Sequence, residues 1–287
     1  MTGSTCGNAC ETSNCATPFQ RVVPFPTIEF GTRVSWELRP QFTAPGPYSF
    51  QLQTGRTGVS AADDWADVGE PVVDTYYALD DEKRVFGKSQ WTHYRVKLTD
   101  ANDTVYYSAP VNAAGFLSYN AYQNARTTIR QWLQRARSRV NVVAVPIYVL
   151  KRRLYGTPCT ECLDYQQQLS NDSHCTTCYG TGFVGGYFAP DSCQYFVPQP
   201  SNRRLKVDEQ LTRGTVDDQV TQGMLLADPY VQQNDVIVMA NTDDRYIVHS
   251  VTDKALIAGV PIFCDVELRL APYSDIIYSV AIEEQIA

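Results

Sequence analysis

Long apolar runs are missing from this 287-residue chain, and histidine and methionine are scarce, with three of each. The longest apolar run, Val142 to Leu150, is interrupted by Pro146 and falls far short of the ~20 residues that a membrane-spanning helix needs. The first eighteen residues lack the apolar segment of a secretory leader. We therefore expect a soluble protein that has no membrane partner.

The motifs of common enzyme classes are also absent. The sequence has no P-loop, no Gly-x-Ser-x-Gly and no His-Glu-x-x-His. His93, His174 and His249 have no partner pattern that would make one of them a catalytic base, and the pairs Asp217-Asp218 and Asp243-Asp244 are typical of loops and turns. We therefore expect no enzymatic activity and no small-molecule substrate.

Acidic residues are missing from residues 118–158, although the whole chain has a net charge of −7. This segment carries eight positive charges, so the remainder carries −15, because −7 minus +8 is −15. An apolar stripe at i, i+3, i+4 spacing predicts a helix over 118–140, with Ser118 or Asn120 as its N-cap. We expect the basic residues to form an interface: Arg126, Arg130, Arg135, Arg137, Arg139, Lys151, Arg152 and Arg153.

Three uses of these charges stay open at the level of sequence. They form a solvated face, or they bind an acidic surface on a neighbouring protein, or they contact nucleic acid. Arginine outnumbers lysine in the segment, and its planar guanidinium suits bidentate pairing with carboxylates as well as with phosphates. The acidic balance of the whole chain argues against a general nucleic-acid binder.

Four of the nine cysteines form the most specific motif. They lie as two Cys-x-x-Cys pairs with twelve residues between them: Cys159 and Cys162, then Cys175 and Cys178. The spacing is typical of a four-thiolate metal site, with ligands at about 2.3 Å from zinc. Because four protein ligands leave no position for water, we expect a structural zinc or a similar soft metal. Two disulfides, or free buried thiols, are the alternative.

The second pair continues as Tyr179-Gly180-Thr181-Gly182, and this Cys-x-x-Cys-x-Gly-x-Gly pattern resembles one half of the zinc repeat of DnaJ-type chaperones. The first pair lacks the glycines, which argues against a chaperone function. We expect residues 156–186 to form an insertion that the metal closes. His174 is a possible substitute ligand, and Cys193 is a spare thiol.

Residues 21–115 predict a β-sandwich. Val34, Trp36 and Leu38 alternate with polar residues, as do Tyr94, Val96 and Leu98, and this period of two is typical of half-buried strands. The pairing of a tryptophan strand with a later Tyr-x-Val-x-Leu strand resembles a fibronectin type III module. The preceding residues, 1–20, form a polar arm that contains Cys6, Cys10 and Cys15, and we expect it to be mobile or to dock on a neighbouring subunit.

The C-terminal part predicts a second β domain. Residues 187–287 contain several strand patterns, among them Asp235–Met239 and Arg245–His249 on either side of a turn. We expect an antiparallel β-barrel here, which with the helix and the insertion makes one domain over 116–287. The fold class is therefore mainly β with one long helix: sandwich, helix, zinc-knuckle insertion and barrel.

The order of these parts resembles a family of tailed-bacteriophage virion structural proteins. The resemblance rests on Phe30–Trp36, on Lys151-Arg152-Arg153, and on the cysteine block through Gly186. The segment from Asn234 to Val251 is similar to the β-barrels of phage head-closure and head–tail connector proteins. The resemblance implies a non-enzymatic protein of the phage neck that forms a homo-oligomeric ring.

Such a ring contacts the portal or adaptor on one side and the tail terminator on the other, and DNA passes through it only as cargo. The resemblance thus implies a location in the virion, after assembly in the host cytoplasm. Two alternatives stay open: a baseplate or other tail component, and a zinc-dependent adaptor that binds nucleic acid through the knuckles and the arginine helix.

Overall fold

The computed structural model describes most of the chain. Several predictions fall outside the described residues: those on residues 1–16 with their three cysteines, on Arg137 and Arg139, and on the helix end at 137–140. No helix of the described part is long and apolar enough to cross a membrane. The described residues are 17–26, 32–39, 42, 44–55, 65–81, 93–112, 118–136, 144–164, 169–170, 172–199, 220–257 and 260–282.

Two antiparallel sheets form the N-terminal half of the described chain. One sheet has the order β1 (Phe19–Pro26), β2 (Thr32–Leu38), β5 (Tyr77–Asp80). The other has the order β4 (Trp65–Val73), β3 (Ser49–Gly55), β6 (His93–Thr99), β7 (Val105–Tyr107), and β8 (Val111–Asn112) also pairs with β6. The predicted alternation is confirmed, since Trp36, Phe50 and Tyr94 are all almost completely buried between the sheets. The N-terminal β-sandwich is therefore present.

A single α-helix follows the sandwich. Helix α1 spans Tyr119–Ala136, and the backbone N–H of Ala121 donates to Ser118 Oγ at 3.3 Å, so Ser118 is the N-cap. Ala125 and Ile129 are buried in a core that also contains residues of the sandwich and of the C-terminal strands. The helix therefore packs its predicted apolar stripe against both β domains.

The C-terminal strands close into a six-stranded antiparallel barrel. Its order is β12 (Asp191–Gln199), β13 (Val220–Leu226), β16 (Val260–Leu270), β15 (Arg245–Ile257), β14 (Val236–Met239), β9 (Val145–Leu150). Ile147, Phe196, Ile237 and Val248 fill the interior and are almost completely buried. The predicted barrel is confirmed, and its interior is a packed core.

The barrel begins earlier in the chain than the predicted range of 187–287. Strand β9 pairs with β12 on one side and with β14 on the other, so it closes the barrel. The cysteine-bearing segment therefore leaves and re-enters between two neighbouring barrel strands. We call residues 156–186 the knuckle loop; it includes the short hairpin β10 (Leu163–Asp164) and β11 (Leu169–Ser170).

Sandwich and barrel meet at a buried polar contact, which we call the domain joint. On the sandwich side, Arg33 Nη2 lies 2.6 Å from Asp191 Oδ2 of the barrel, and Arg33 Nη1 lies 3.6 Å from Asp228 Oδ2. These three charged residues are all less than a tenth exposed. Gln232 Nε2 also donates to Glu37 Oε1 at 2.8 Å. Long-range pairs of this kind hold the two β domains in one orientation.

Candidate metal centre

The four cysteines of the two Cys-x-x-Cys pairs come together at the centre of the knuckle loop. Cys159, Cys162, Cys175 and Cys178 are each less than a tenth exposed, and their four Sγ atoms all lie within 4.8 Å of one another. They form a core cluster of their own, separate from the apolar cores. The predicted ligand set is therefore assembled in space.

The spacing of the sulfurs fits a tetrahedral metal ion. Four thiolates at about 2.3 Å from zinc would lie about 3.8 Å from each other. The Sγ–Sγ distances are 3.9 Å for Cys159–Cys175, 3.4 Å for Cys159–Cys162 and 3.1 Å for Cys162–Cys178. Small shifts of the side chains would therefore accommodate a soft ion with four sulfur ligands.

The backbone of the knuckle loop holds both pairs in tight turns. The N–H of Leu163 donates to Cys159 O at 3.2 Å, and the N–H of Tyr179 donates to Cys175 O at 2.8 Å. A further bond from Cys159 N–H to Gly182 O, at 2.8 Å, joins the two turns. Gly182 has φ +87°, a left-handed backbone conformation that strains any residue with a side chain and therefore favours glycine.

Hydrogen bonds within the cluster favour ionisation at one sulfur. Burial by itself raises the pKa of the Cys178 thiol, but hydrogen bonds from Cys162 and from the backbone N–H groups of Gly182 and Gly180 outweigh it and lower the pKa to about 7. At Cys162 burial dominates, and its pKa lies well above the ordinary value. A metal ligand must be a thiolate, and the hydrogen bonds to Cys178 favour that form.

Two polar residues that the sequence did not single out contact the cluster. Ser170 Oγ donates to Cys162 Sγ at 3.4 Å, and Glu161 Oε2 accepts from Thr177 Oγ1 at 3.0 Å and lies 3.7 Å from Cys175 Sγ. Strand pairing across the loop brings Ser170 opposite Leu163, and no sequence pattern indicates that pairing. Hydrogen bonds to the sulfur ligands from outside the cluster orient metal ligands and are typical of metal sites.

The other predicted residues of the loop do not join the cluster. His174, the possible substitute ligand, is exposed, and its Nδ1 lies 3.1 Å from Ser173 Oγ. The side chain of Cys193 lies outside the described residues.

The predicted basic interface is divided by the structure. On α1, Arg130 and Arg135 are exposed, and Arg126 is half-buried. Lys151 and Arg153, however, are buried, so their assignment to a basic surface was wrong.

The buried basic residues have acidic partners that lie far away in sequence. Lys151 Nζ lies 3.0 Å from Asp235 Oδ2, and Arg153 Nη2 donates to Asp74 Oδ2 at 2.7 Å. The backbone N–H of Arg152 also donates to Asp235, at 2.9 Å. Lys151 and Arg153 follow β9 directly, and their side chains enter the protein interior, whereas Arg152 between them is half-buried.

Comparison of the whole chain with protein-family models, with curated proteins and with solved structures finds no match. The functional interpretation of the four-cysteine cluster and of the exposed arginines of α1 therefore depends on the geometry of this chain alone.

Proposed function

We propose that this protein is a non-enzymatic structural component of a tailed-bacteriophage virion that assembles into a homo-oligomeric ring in the neck. Its partners there are the portal or adaptor protein, the tail terminator and further copies of itself, and DNA crosses the ring only as cargo. The resemblance of the cysteine block and of the barrel strands to phage virion proteins favours the neck over the baseplate.

The observation that carries this proposal is the exposed arginine face of α1. Arg130 and Arg135 project from a helix that contains no acidic residue, while the remainder of the chain outside 118–158 carries −15. When copies surround an axis, such a face meets the acidic surface of the next copy, and opposite fields steer assembly and fix the register.

A metal ion in the knuckle loop supports the structural role by fixing the conformation of that loop. The four thiolates of the knuckle loop fit a structural zinc, because four cysteines are a common tetrahedral ligand set for zinc and leave no position for substrate. The ion would hold a polar loop in a fixed conformation on the outside of the barrel. A loop of this kind serves as a contact surface in an assembly.

Electron microscopy of the purified protein tests the proposal, with sedimentation velocity as a second readout. We expect rings from the native protein, and mainly monomers from the double variant Arg130→Glu, Arg135→Glu. The matched control is Gln134→Glu, which adds a negative charge at an exposed position of the same helix and leaves both arginines in place. A native protein that stays monomeric at all concentrations, and that does not bind portal or tail-terminator proteins, contradicts the neck assignment.

A zinc-dependent adaptor that binds nucleic acid is the second candidate, and the same exposed arginines favour it. Phosphate contacts make binding strongly salt-dependent, because they release counterions. Affinity for duplex DNA that falls steeply with salt, and that is lost in the Arg130→Glu, Arg135→Glu variant, would favour the adaptor over the ring.

A further inference from the structure

The knuckle loop meets the sandwich through both of its ends. On the incoming side, the Tyr155 ring lies 6.2 Å from the Tyr48 ring and 6.1 Å from the Phe50 ring, and Tyr155 Oη donates to Thr75 O at 3.3 Å. On the outgoing side, the Phe188 ring lies 5.4 Å from Tyr155. The segments that enter and leave the metal site are therefore part of the aromatic contact with the sandwich.

Arg153 joins the end of the knuckle loop to the sandwich. Its backbone N–H donates to Gly186 O at 3.0 Å, and its Nε donates to Tyr187 O at 2.9 Å. Its guanidinium lies 4.6 Å from the centre of the Phe188 ring and pairs through both terminal nitrogens with the carboxylate of Asp74. One residue thus contacts the end of the knuckle loop, the segment that follows it and the turn before β5.

Gly185 and Gly186, next to Arg153, are positioned by the turn that contains the second cysteine pair. The N–H of Gly185 donates to the carbonyl of Thr177, which lies between Cys175 and Cys178, at 2.9 Å. A Cβ added to Gly186, which has φ +64°, would lie only 2.7 Å from the carbonyl oxygen of Cys178. Bonded and packed contacts therefore run without a gap from a metal ligand to Arg153 and from there to Asp74.

We propose that metal occupancy of the four-cysteine site controls how firmly the sandwich is held against the barrel, with Arg153 as the residue that transmits the effect. With the ion bound, the turn at Thr177–Cys178 fixes Gly185 and Gly186, and these fix the guanidinium against Asp74. Without the ion, the knuckle loop gains conformational freedom, and Arg153 loses the fixed carbonyls that position it. The metal thus acts on the relation between two domains as well as on its own loop, whether or not the protein forms rings.

Hydrogen–deuterium exchange of the full-length protein tests this inference. After the metal is removed with EDTA, we expect exchange to rise within residues 157–185 and also within 74–80, which contain Asp74 and strand β5. The rise in 74–80 should be about two- to fivefold, because the Asp74 carboxylate is exposed and water screens its pairing with Arg153.

The variant Arg153→Lys separates the coupling from the metal. Lysine keeps the charge but cannot pair in a bidentate way, so the variant should retain one equivalent of metal and still show the faster exchange within 74–80. The matched control is Arg130→Lys on the exposed face of α1, which should exchange like the native protein.

Two results would overturn the inference. One is metal-free protein that exchanges faster only within 157–185 and stays as protected as the loaded protein within 74–80. The other is native protein that binds no equivalent of zinc or iron. Ring formation by the loaded protein is a separate measurement, so failure of the coupling is distinguishable from failure of the neck assignment.

Discussion

The environment of the buried Asp228 disfavours its ionised form. Asp228 lies at the domain joint beside Arg33, and the carboxylate of Asp191 contacts the same guanidinium. Burial raises the pKa of Asp228 to about 7; the attraction of Arg33 lowers it only in part, and Asp191 adds repulsion. Two carboxylates thus share one arginine in the interior.

This arrangement predicts that Asp228 weakens the fold as the pH rises. In the unfolded chain an aspartate has a pKa of about 3.9, so the folded state binds the proton more tightly and the contribution of Asp228 to stability is lost between about pH 4 and pH 7. The variant Asp228→Asn should therefore gain more stability over the native protein at pH 8 than at pH 5. The melting temperature at the two pH values is the measurement, and the exposed Asp81→Asn is the control, with no such difference expected. An equal effect of Asp228→Asn at both pH values would mean that the folded protein does not raise the pKa of Asp228.

Removal of one cysteine ligand predicts loss of the ion without loss of the β domains. The variant Cys178→Ser should lose the metal and loosen residues 157–185, while the sandwich stays folded and assembly falls, because a hydroxyl is a poor ligand for a soft ion. Metal analysis of the purified protein is the measurement. Cys264→Ser is the control, since Cys264 is a buried thiol of the barrel that lies outside the cluster, and it should keep a full equivalent. Native protein with less than about half an equivalent of zinc or iron would contradict the site.

At the scale of single elements, local periodicity predicted much of the fold. The alternation at Val34, Trp36 and Leu38 and the stripe at Ala125 and Ile129 lie as expected, because each repeats at the period of its own strand or helix. The cysteine spacing likewise predicted the cluster, since a Cys-x-x-Cys turn is local. Strand β9 lies outside the range predicted for the barrel, because a local pattern does not identify the strands with which a segment will pair.

Inside the barrel, Gly223 of strand β13 lies directly against the aromatic ring of Phe196. A Cβ added at Gly223 would lie 2.2 Å from Phe196 Cε2 and 2.7 Å from the carbonyl oxygen of Val197, so movement of the ring alone cannot relieve the clash. The variant Gly223→Ala should therefore lower the free energy of unfolding by about 1–3 kcal/mol, as overpacking of a core does. Urea unfolding is the measurement, with the exposed Thr252→Ala on β15 as control, for which about 0.5 kcal/mol or less is expected. A Gly223→Ala protein as stable as the native one would mean that the barrel repacks freely.

At the scale of the whole molecule, the basic residues of the segment 118–158 are of two kinds, buried and exposed, which the sequence did not distinguish. Lys151 and Arg153 belong to the same basic run as Arg130 and Arg135, yet both are buried. Lys151 pairs with the buried Asp235, and Arg153 reaches from the interior to the exposed Asp74. Those partners lie about eighty residues away on each side, and only the folded topology brings them together. The spacing of charges therefore predicted the basic segment, but not which of its members would face solvent.

The two kinds of charge should respond differently to salt. The Debye length falls from about 10 Å at 0.1 M to about 3 Å at 1 M, and screening acts on exposed charges far more than on buried ones. If the exposed arginines of α1 join neighbouring copies, rings should dissociate as the salt concentration rises over this range. The pair of Lys151 with Asp235 is buried on both sides and should persist, and Arg153 is itself buried although its partner Asp74 is exposed. Each released protomer should therefore keep its metal and its domain arrangement.

Sedimentation velocity in 0.1 M and 1 M sodium chloride measures the association, and hydrogen–deuterium exchange within residues 74–80 reports on the pair of Arg153 with Asp74. Rings that are equally stable at both concentrations would mean that apolar contacts, rather than the arginine face, join the copies. Rapid exchange within 74–80 at the higher concentration would mean that salt breaks the pair of Arg153 with Asp74. If the arginine face joins the copies, assembly should therefore be sensitive to salt while the protomer itself is not.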